Sequence, residues 1–198
     1  TTEARESGPS DSAATLADLF TQRLLAGERF PTILAARRLA KEAFDVRDAK
    51  QVEEQIELGM VNASREIVRR GGDVYPALVD LYAAQPKLGT RTSTSMRDQA
   101  FSTPVPLAYL ASHLAGVARA DVVFEPTAGN GALLIETTPE QTVIANEINP
   151  DRAANLKSQG YNVTSQDAAK PTQANAINAA YEGADVVIAN PPFGATKE

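Results

Sequence analysis

Through about the first 85 residues, apolar side chains recur every three or four positions; beyond residue 100 they gather into short runs instead. The first pattern predicts amphipathic helices. In AATLADLFTQRLLAG, Leu16, Leu19, Phe20 and Leu24 fall on one face, and Gly27 follows as a stop. Pro31 opens a second helix in PTILAARRLAKEAF, with Ile33, Leu34, Leu39 and Phe44 recurring. A longer helix spans DAKQVEEQIELGMVNASREIVRRGG. Asp48 is its N-cap, Val52, Ile56, Met60 and Ile67 form the stripe, and Gly71-Gly72 end it. A short helix over YPALVDLYAAQ completes the all-helical part.

The second pattern alternates strands with helices. VPLAYLASHLAG reads as a helix, ADVVFEP as a short buried strand, and GALLIE as the start of another helix. QTVIANE is the next strand, followed by a helix in NPDRAANLKSQG, where Asn149 caps, Pro150 suits the first turn and Gly160 ends it. YNVTSQDA is a third strand, QANAINAAYEG a helix and ADVVIANPP a fourth strand. This succession predicts a parallel, doubly wound α/β sheet. The expected organisation is a disordered tail over 1–12, a helical region over 13–88, a polar linker over 89–99 and an α/β domain over 100–198. No internal repeat is visible.

Composition narrows the chemistry. Apolar residues are 43% of the 198, enough for a core. The absence of cysteine excludes a disulfide scaffold, thiolate-zinc sites and cysteine nucleophiles. With His113 the single histidine, no metal is expected. No apolar run approaches the roughly 20 residues of a membrane helix, and no signal segment opens the chain, so the expectation is a cytoplasmic protein with no membrane partner. Net charge is −6, and the excess sits in the second half. Residues 1–98 carry 14 basic and 15 acidic groups, residues 99–198 carry 5 and 10. Such a balance does not suit a stand-alone nucleic-acid binder. Arg37, Arg38, Lys41, Arg65, Arg69 and Arg70 read as solvated helix faces with acidic neighbours rather than phosphate contacts.

Chemistry-bearing residues collect at the predicted strand ends. In FEPTAGNGALLIE a strand ends at Glu125, and a loop with Gly129 and Gly131 follows. Glycines let backbone approach a ligand, and the carboxyl edge is where open α/β sheets bind one. The spacing is neither the dinucleotide G-x-G-x-x-G, since position 134 is Leu, nor a P-loop, since no Lys follows; alone it also suits a tight strand-to-helix turn. Glu147 ends the next strand, where a carboxylate can accept from vicinal ribose hydroxyls. Asp167 lies past the third strand, placed for an adenine amine. The fourth strand delivers Asn190-Pro191-Pro192-Phe193. Asn190 Oδ1 and the Pro191 carbonyl can accept both protons of an amine and turn its lone pair toward an electrophile. Two prolines stiffen the backbone, and Phe193 offers a face for stacking a planar base.

This set resembles the S-adenosylmethionine-dependent amino-methyltransferases, in particular the DNA adenine-N6 methyltransferases of the gamma arrangement. EPTAGNGALL is similar to their cofactor loop, and Asn190 to Phe193 to their catalytic tetrapeptide. DQAFSTP is similar to the segment preceding the cofactor loop in modification subunits of restriction systems. The resemblance covers about residues 98–194 and implies a partial Rossmann-like methyltransferase sheet behind the helical region. It implies S-adenosyl-L-methionine as cofactor. Ser102, Thr103 and Pro104 would line its methionine end. Glu125, Pro126, Thr127, Ala128, Gly129, Asn130 and Gly131 would form the loop. Glu147 and Ile148 would hold the ribose, Asp167 and Ala168 the adenine, with Asn190 beside the methyl. The activity implied is methyl transfer to N6 of adenine in DNA. The same tetrapeptide also occurs in methyltransferases for protein glutamine and for guanine N2 in RNA, and a non-catalytic methyltransferase-fold binding module is the remaining alternative.

The helical part resembles the lead-in of restriction-system methyltransferases. It is also similar to the methyltransferase-like front of very large phage and plasmid antirestriction polypeptides carrying a strawberry-notch-type helicase. A complete sheet of this family has more strands than the four expected here. The chain is therefore expected to be a fragment truncated after the fourth strand and inactive in isolation. DNA would be engaged through regions outside it, on the rest of a longer polypeptide or on a specificity subunit.

Overall fold

The computed structural model describes residues 15–86, 102–170 and 175–192. The expected tail and linker, together with Phe101 and Phe193, lie outside the described residues. Helix α1 (Leu16–Leu25) starts at Thr15 in a capping box. The Thr15 hydroxyl accepts from the Asp18 amide at 3.1 Å, and the Asp18 carboxylate accepts from the Thr15 amide at 2.8 Å. Helix α2 (Ile33–Phe44) is capped by Thr32, and α3 (Ala49–Arg70) by Asp48, which accepts from the Gln51 amide at 2.7 Å. Helix α4 (Val74–Ala84) closes the bundle. Phe20, Val52, Ile56 and Leu78 are fully buried in its core. Each such side chain contributes roughly 1.5–3 kcal/mol of transfer free energy. No helix among the described residues is long and apolar enough to cross a membrane.

Two expectations about faces and elements need correction. In α2 the buried residues are Ala36 and Ala40, while Leu34 is 61% exposed and Phe44 38% exposed. Helix α2 rests on α3 through its alanines with Ile33 and Leu39 at the margins, so its inward face is the small one rather than the large apolar one. The helix expected from GALLIE is a single 3₁₀ turn, Ala132–Leu134. The Thr137 amide and hydroxyl both donate to the Leu134 carbonyl, at 3.1 and 2.7 Å, and Pro139 follows shortly after, so no α-helix propagates.

Helices α1 and α3 meet at Gly59, where a Cβ would lie 2.7 Å from Phe20 Cβ and 3.1 Å from the Ala17 carbonyl oxygen. Gly59→Ala gains roughly 0.5–1 kcal/mol of helix propensity. Overpacking against a backbone-anchored Cβ costs about 1–3 kcal/mol and wins. The expected result is a lower urea midpoint at unchanged slope; an unchanged or higher midpoint would show that α1 can retreat freely.

Helix α5 (Val105–Ala115) leads into β1 (Val122–Glu125), β2 (Thr142–Asn146), α6 (Pro150–Ser158), β3 (Asn162–Thr164), α7 (Asn175–Gly183) and β4 (Val186–Val187). The sheet is all parallel in the order β3-β2-β1-β4, with Val123 beside Val143 and Phe124 beside Ile144. Alternation then selects the layers. Val123, Val143 and Ala145 pack with Ala108 of α5 and Leu156 of α6, whereas Phe124 packs with Ile177 and Ala180 of α7. Helices thus cover both faces of a mixed α/β unit compatible with a Rossmann-like fold. Val105 and Ile135 belong to the helical core, and Ala132 lies against both cores.

Arg65 of α3 donates to Gln159 Oε1 at 3.0 Å and to the Tyr161 hydroxyl, with its guanidinium 5.2 Å from that ring's centroid. Arg69 and Arg70 pair with Glu66, and Arg37 with Glu53. These four cations therefore serve internal contacts.

Candidate functional site

The four strands end on one edge, and the loops leaving that edge are bound together by Asn146, the last residue of β2. Its amide donates to the Pro126 carbonyl at 3.0 Å and to the Gln166 carbonyl at 2.9 Å. Its Oδ1 accepts from Thr164 Oγ1 at 2.7 Å and the Gln166 amide at 2.9 Å. One side chain, 1% exposed, therefore joins the loops after β1, β2 and β3. Nothing in the sequence marks it, since an asparagine at the end of an apolar strand reads as a plain strand end.

The glycine loop closes against Glu147. The Gly129 amide donates to Glu147 Oε2 at 2.8 Å, and the Asn149 amide to Oε1 at 2.7 Å. Each carboxylate oxygen keeps a further lone pair. Gly129 and Gly131 adopt φ of +56° and +86°. A Cβ at Gly129 would meet nothing within 4 Å, so the loop backbone faces open space there; at Gly131 it would lie 3.1 Å from Leu156 Cδ2. Pro126 and Ala128 are buried, whereas Ile148 is 65% exposed directly after Glu147.

Glu125 is 2% exposed, and its Oε2 has no hydrogen-bond partner among the described residues; the Thr127 hydroxyl is likewise buried and unpartnered. Burial pushes the Glu125 carboxyl up to about 8, with the charge of Glu147 adding to it. At neutral pH it is a neutral acid and a donor.

Asn130, 4% exposed, takes its partners from elsewhere in the chain. Its Nδ2 donates to Glu54 Oε2 at 3.0 Å and Glu57 Oε2 at 3.1 Å, both on α3. Its Oδ1 accepts from Asn155 Nδ2 at 2.9 Å, and its backbone carbonyl from Gln159 Nε2 at 3.0 Å. Arg152 pairs with Glu54 at 3.0 Å and Glu57 at 3.6 Å, and Ser102 Oγ donates to Glu57. Burial raises the Glu57 carboxyl above the usual range, against the pull of Arg152 and with Glu54 adding to the rise. The two glutamates were not among the residues expected at a site. On α3 they occupy the polar side of an amphipathic helix, which reads as solvated until its neighbour is known.

The Asn190 amide donates to Thr103 Oγ1 at 2.9 Å, across 87 residues of sequence. Pro191 and Pro192 are exposed, and Pro104 precedes α5 with its carbonyl accepting from Leu107 and Ala108 at 2.9 Å. Asp167 is exposed, accepts from the Ala169 amide at 3.0 Å and pairs with Lys170 at 3.3 Å, while Ala168 is half-buried against the α7 side. Thr103 meets Asn190 and Gly129 meets Glu147, so those expected residues share direct contacts, whereas Ser102 meets Glu57, a residue outside the expected set. Asp167 and Ile148 make no such side-chain link among the described residues. No family model matches the chain, and neither a curated protein nor a solved structure was found that matches it.

Proposed function

We propose that the chain is the cofactor-binding part, with the amine-binding motif, of an S-adenosylmethionine-dependent methyltransferase acting on the N6 amine of adenine in DNA. The hydrogen bond from Asn190 to Thr103 carries the reading. The Ser-Thr-Pro segment and the Asn-Pro-Pro segment are far apart in sequence, and a methyl donor and an amine acceptor must meet where such segments meet.

The residues present suit that cofactor. Glu147 keeps lone pairs for two vicinal hydroxyls, Gly129 leaves the loop backbone open, and Glu125 Oε2 and the Thr127 hydroxyl are buried polar groups without partners among the described residues. When bound, the cofactor supplies a methyl group on a sulfonium. The chain's own task is to present the acceptor. Asn190 Oδ1, which has no hydrogen bond among the described residues, and the Pro191 carbonyl accept the two amine protons and aim the lone pair. Pro191 and Pro192 hold that geometry, and the base must be flipped out of its stack to reach it.

Calorimetric titration with S-adenosylhomocysteine tests the reading. The expected result is binding on the order of micromolar, abolished in an Asn130→Ala/Glu147→Ala double variant that still unfolds cooperatively. A polypeptide carrying this chain, incubated with methyl-labelled S-adenosylmethionine and DNA, RNA or protein, should place label in N6-methyladenine. Label in protein glutamine or guanine N2 would replace the substrate class, and a folded chain blind to S-adenosylhomocysteine would remove the cofactor.

A further inference from the structure

We propose that the helical region completes the ligand site, with Glu57 of α3 receiving the cationic α-amine of the bound S-adenosyl compound. The inference rests on the methyltransferase reading above and concerns a residue outside the segment that resembles the family. The charge balance around Arg152 leads to it. This guanidinium, 12% exposed, pairs with Glu54 and Glu57 and feels the charge of Glu147 from farther off, and no second cation pairs with these carboxyl groups among the described residues. With Glu125 neutral, three carboxyl groups share one positive charge, and Glu57, whose ionisation burial opposes, is the one a ligand cation would hold ionised. Largely buried charge without a counterion is costly, and a ligand cation offsets that cost.

Glu57 is the member of the trio with the weakest compensation. Glu54 receives Arg152 Nε at 3.0 and 3.2 Å on its two oxygens, and Glu147 has a backbone amide on each oxygen. Among the described residues, Glu57 has only the more distant 3.6 Å approach of Arg152, together with neutral donors from Asn130 and Ser102. Its side chain keeps 20% exposure, so a ligand can reach it. Its neighbours are the glycine loop on one side and the Ser-Thr-Pro segment on the other, the two segments a ligand lying along the strand ends would span. A second, independent observation also points to a ligand. Glu125, at the end of β1 just before the glycine loop, is buried with one carboxyl oxygen unpartnered among the described residues, and the charge of Glu147 acts on it. An amine held between Glu57 and the loop also places the rest of the ligand. Glu57 is thus a positioning residue that distinguishes amino-acid-bearing S-adenosyl compounds from bare adenosyl thioethers.

The test compares two probes on the whole chain by titration calorimetry: S-adenosylhomocysteine and its deamino analogue, which lacks only the amine. Wild-type protein should bind the first at least tenfold more tightly, the scale expected for a charge-assisted hydrogen bond. Glu57→Gln keeps an acceptor for Asn130 and should weaken S-adenosylhomocysteine about tenfold while leaving the deamino analogue within about twofold. Glu54→Gln, which loosens Arg152, reports the merely structural effect and should weaken both probes in parallel. If Glu57→Gln weakens both equally, or neither, the inference is overturned while the cofactor reading stands. If wild-type protein binds neither probe, the cofactor reading fails and takes this inference with it.

Discussion

Replacing Glu125 with glutamine is expected to abolish most of the protein's loss of stability between about pH 5 and pH 8. The folded-state carboxyl sits at about 8 and the unfolded one at 4.5. Between those values the native state binds a proton that the unfolded state has released, so stability falls as pH rises. The contribution is fully present below 4.5, declines at roughly 1.4 kcal/mol per pH unit through the window, and is gone above the folded value. The loss therefore amounts to several kcal/mol in wild-type protein. Glutamine is neutral throughout and removes this slope. Urea denaturation at pH 5.5, 7.0 and 8.5 measures it. The variant should exceed wild type by about 1.4 kcal/mol at the lowest pH, one unit above the unfolded value, and by several kcal/mol at the highest. Glu57, also raised by burial, leaves a residual slope of the same sign. Glu66 does not interfere. Hydrogen bonds from Arg69 and Arg70 hold its carboxyl at about 2, so its contribution is lost only as pH falls below the window. Parallel wild-type and variant profiles would mean that Glu125 is ionised in the folded protein.

The second large effect is expected at Asn146. Alanine there removes four hydrogen bonds and strands the Pro126 carbonyl, the Gln166 carbonyl and the Gln166 amide in a largely buried setting. Each ordinary bond contributes about 1 kcal/mol, and each orphaned buried group costs about 1–3 kcal/mol, so a loss of roughly 3–5 kcal/mol follows. Asn146→Asp should be no milder, because a carboxylate has no N–H to offer the two carbonyls. Thr164→Val, which breaks one of the four contacts, gives the small control. The loops at the strand ends loosen together in the alanine variant, so S-adenosylhomocysteine binding should drop by more than tenfold even where most molecules remain folded. Wild-type affinity in a destabilised Asn146→Ala protein would separate the loop ties from ligand binding.

Local signals were legible wherever the physics is local. Asp48 and Asn149 cap the helices they precede because a short polar side chain reaches the second or third amide of the first turn. The strands β1 and β2 lie in short apolar runs because both sheet faces are covered by helices. Harder positions depend on the neighbour. Leu34 and Phe44 carry more apolar area than Ala36 and Ala40, yet α3 accepts the alanines because their short side chains suit a close approach. GALLIE has the composition of a helix, but Gly131 in the left-handed region and the Thr137 contacts to Leu134 limit it to one 3₁₀ turn.

The candidate site divides the same way. The sequence by itself determined that Glu125, the glycine pair, Glu147, Asp167 and Asn190 would stand at successive strand ends. Strand–helix alternation and parallel pairing leave those residues one common edge. Only the tertiary structure decided that Glu54 and Glu57 turn toward that edge, that Arg152 pairs with both of them, that Glu125 holds its proton, and that Asn146 ties the loops. Each of these depends on desolvation and on contacts between residues about 20 to 100 positions apart. A helix's polar face carries no record of whether water or another element will cover it, and burial, helped by a neighbouring carboxylate, raises an ordinary glutamate toward a neutral acid.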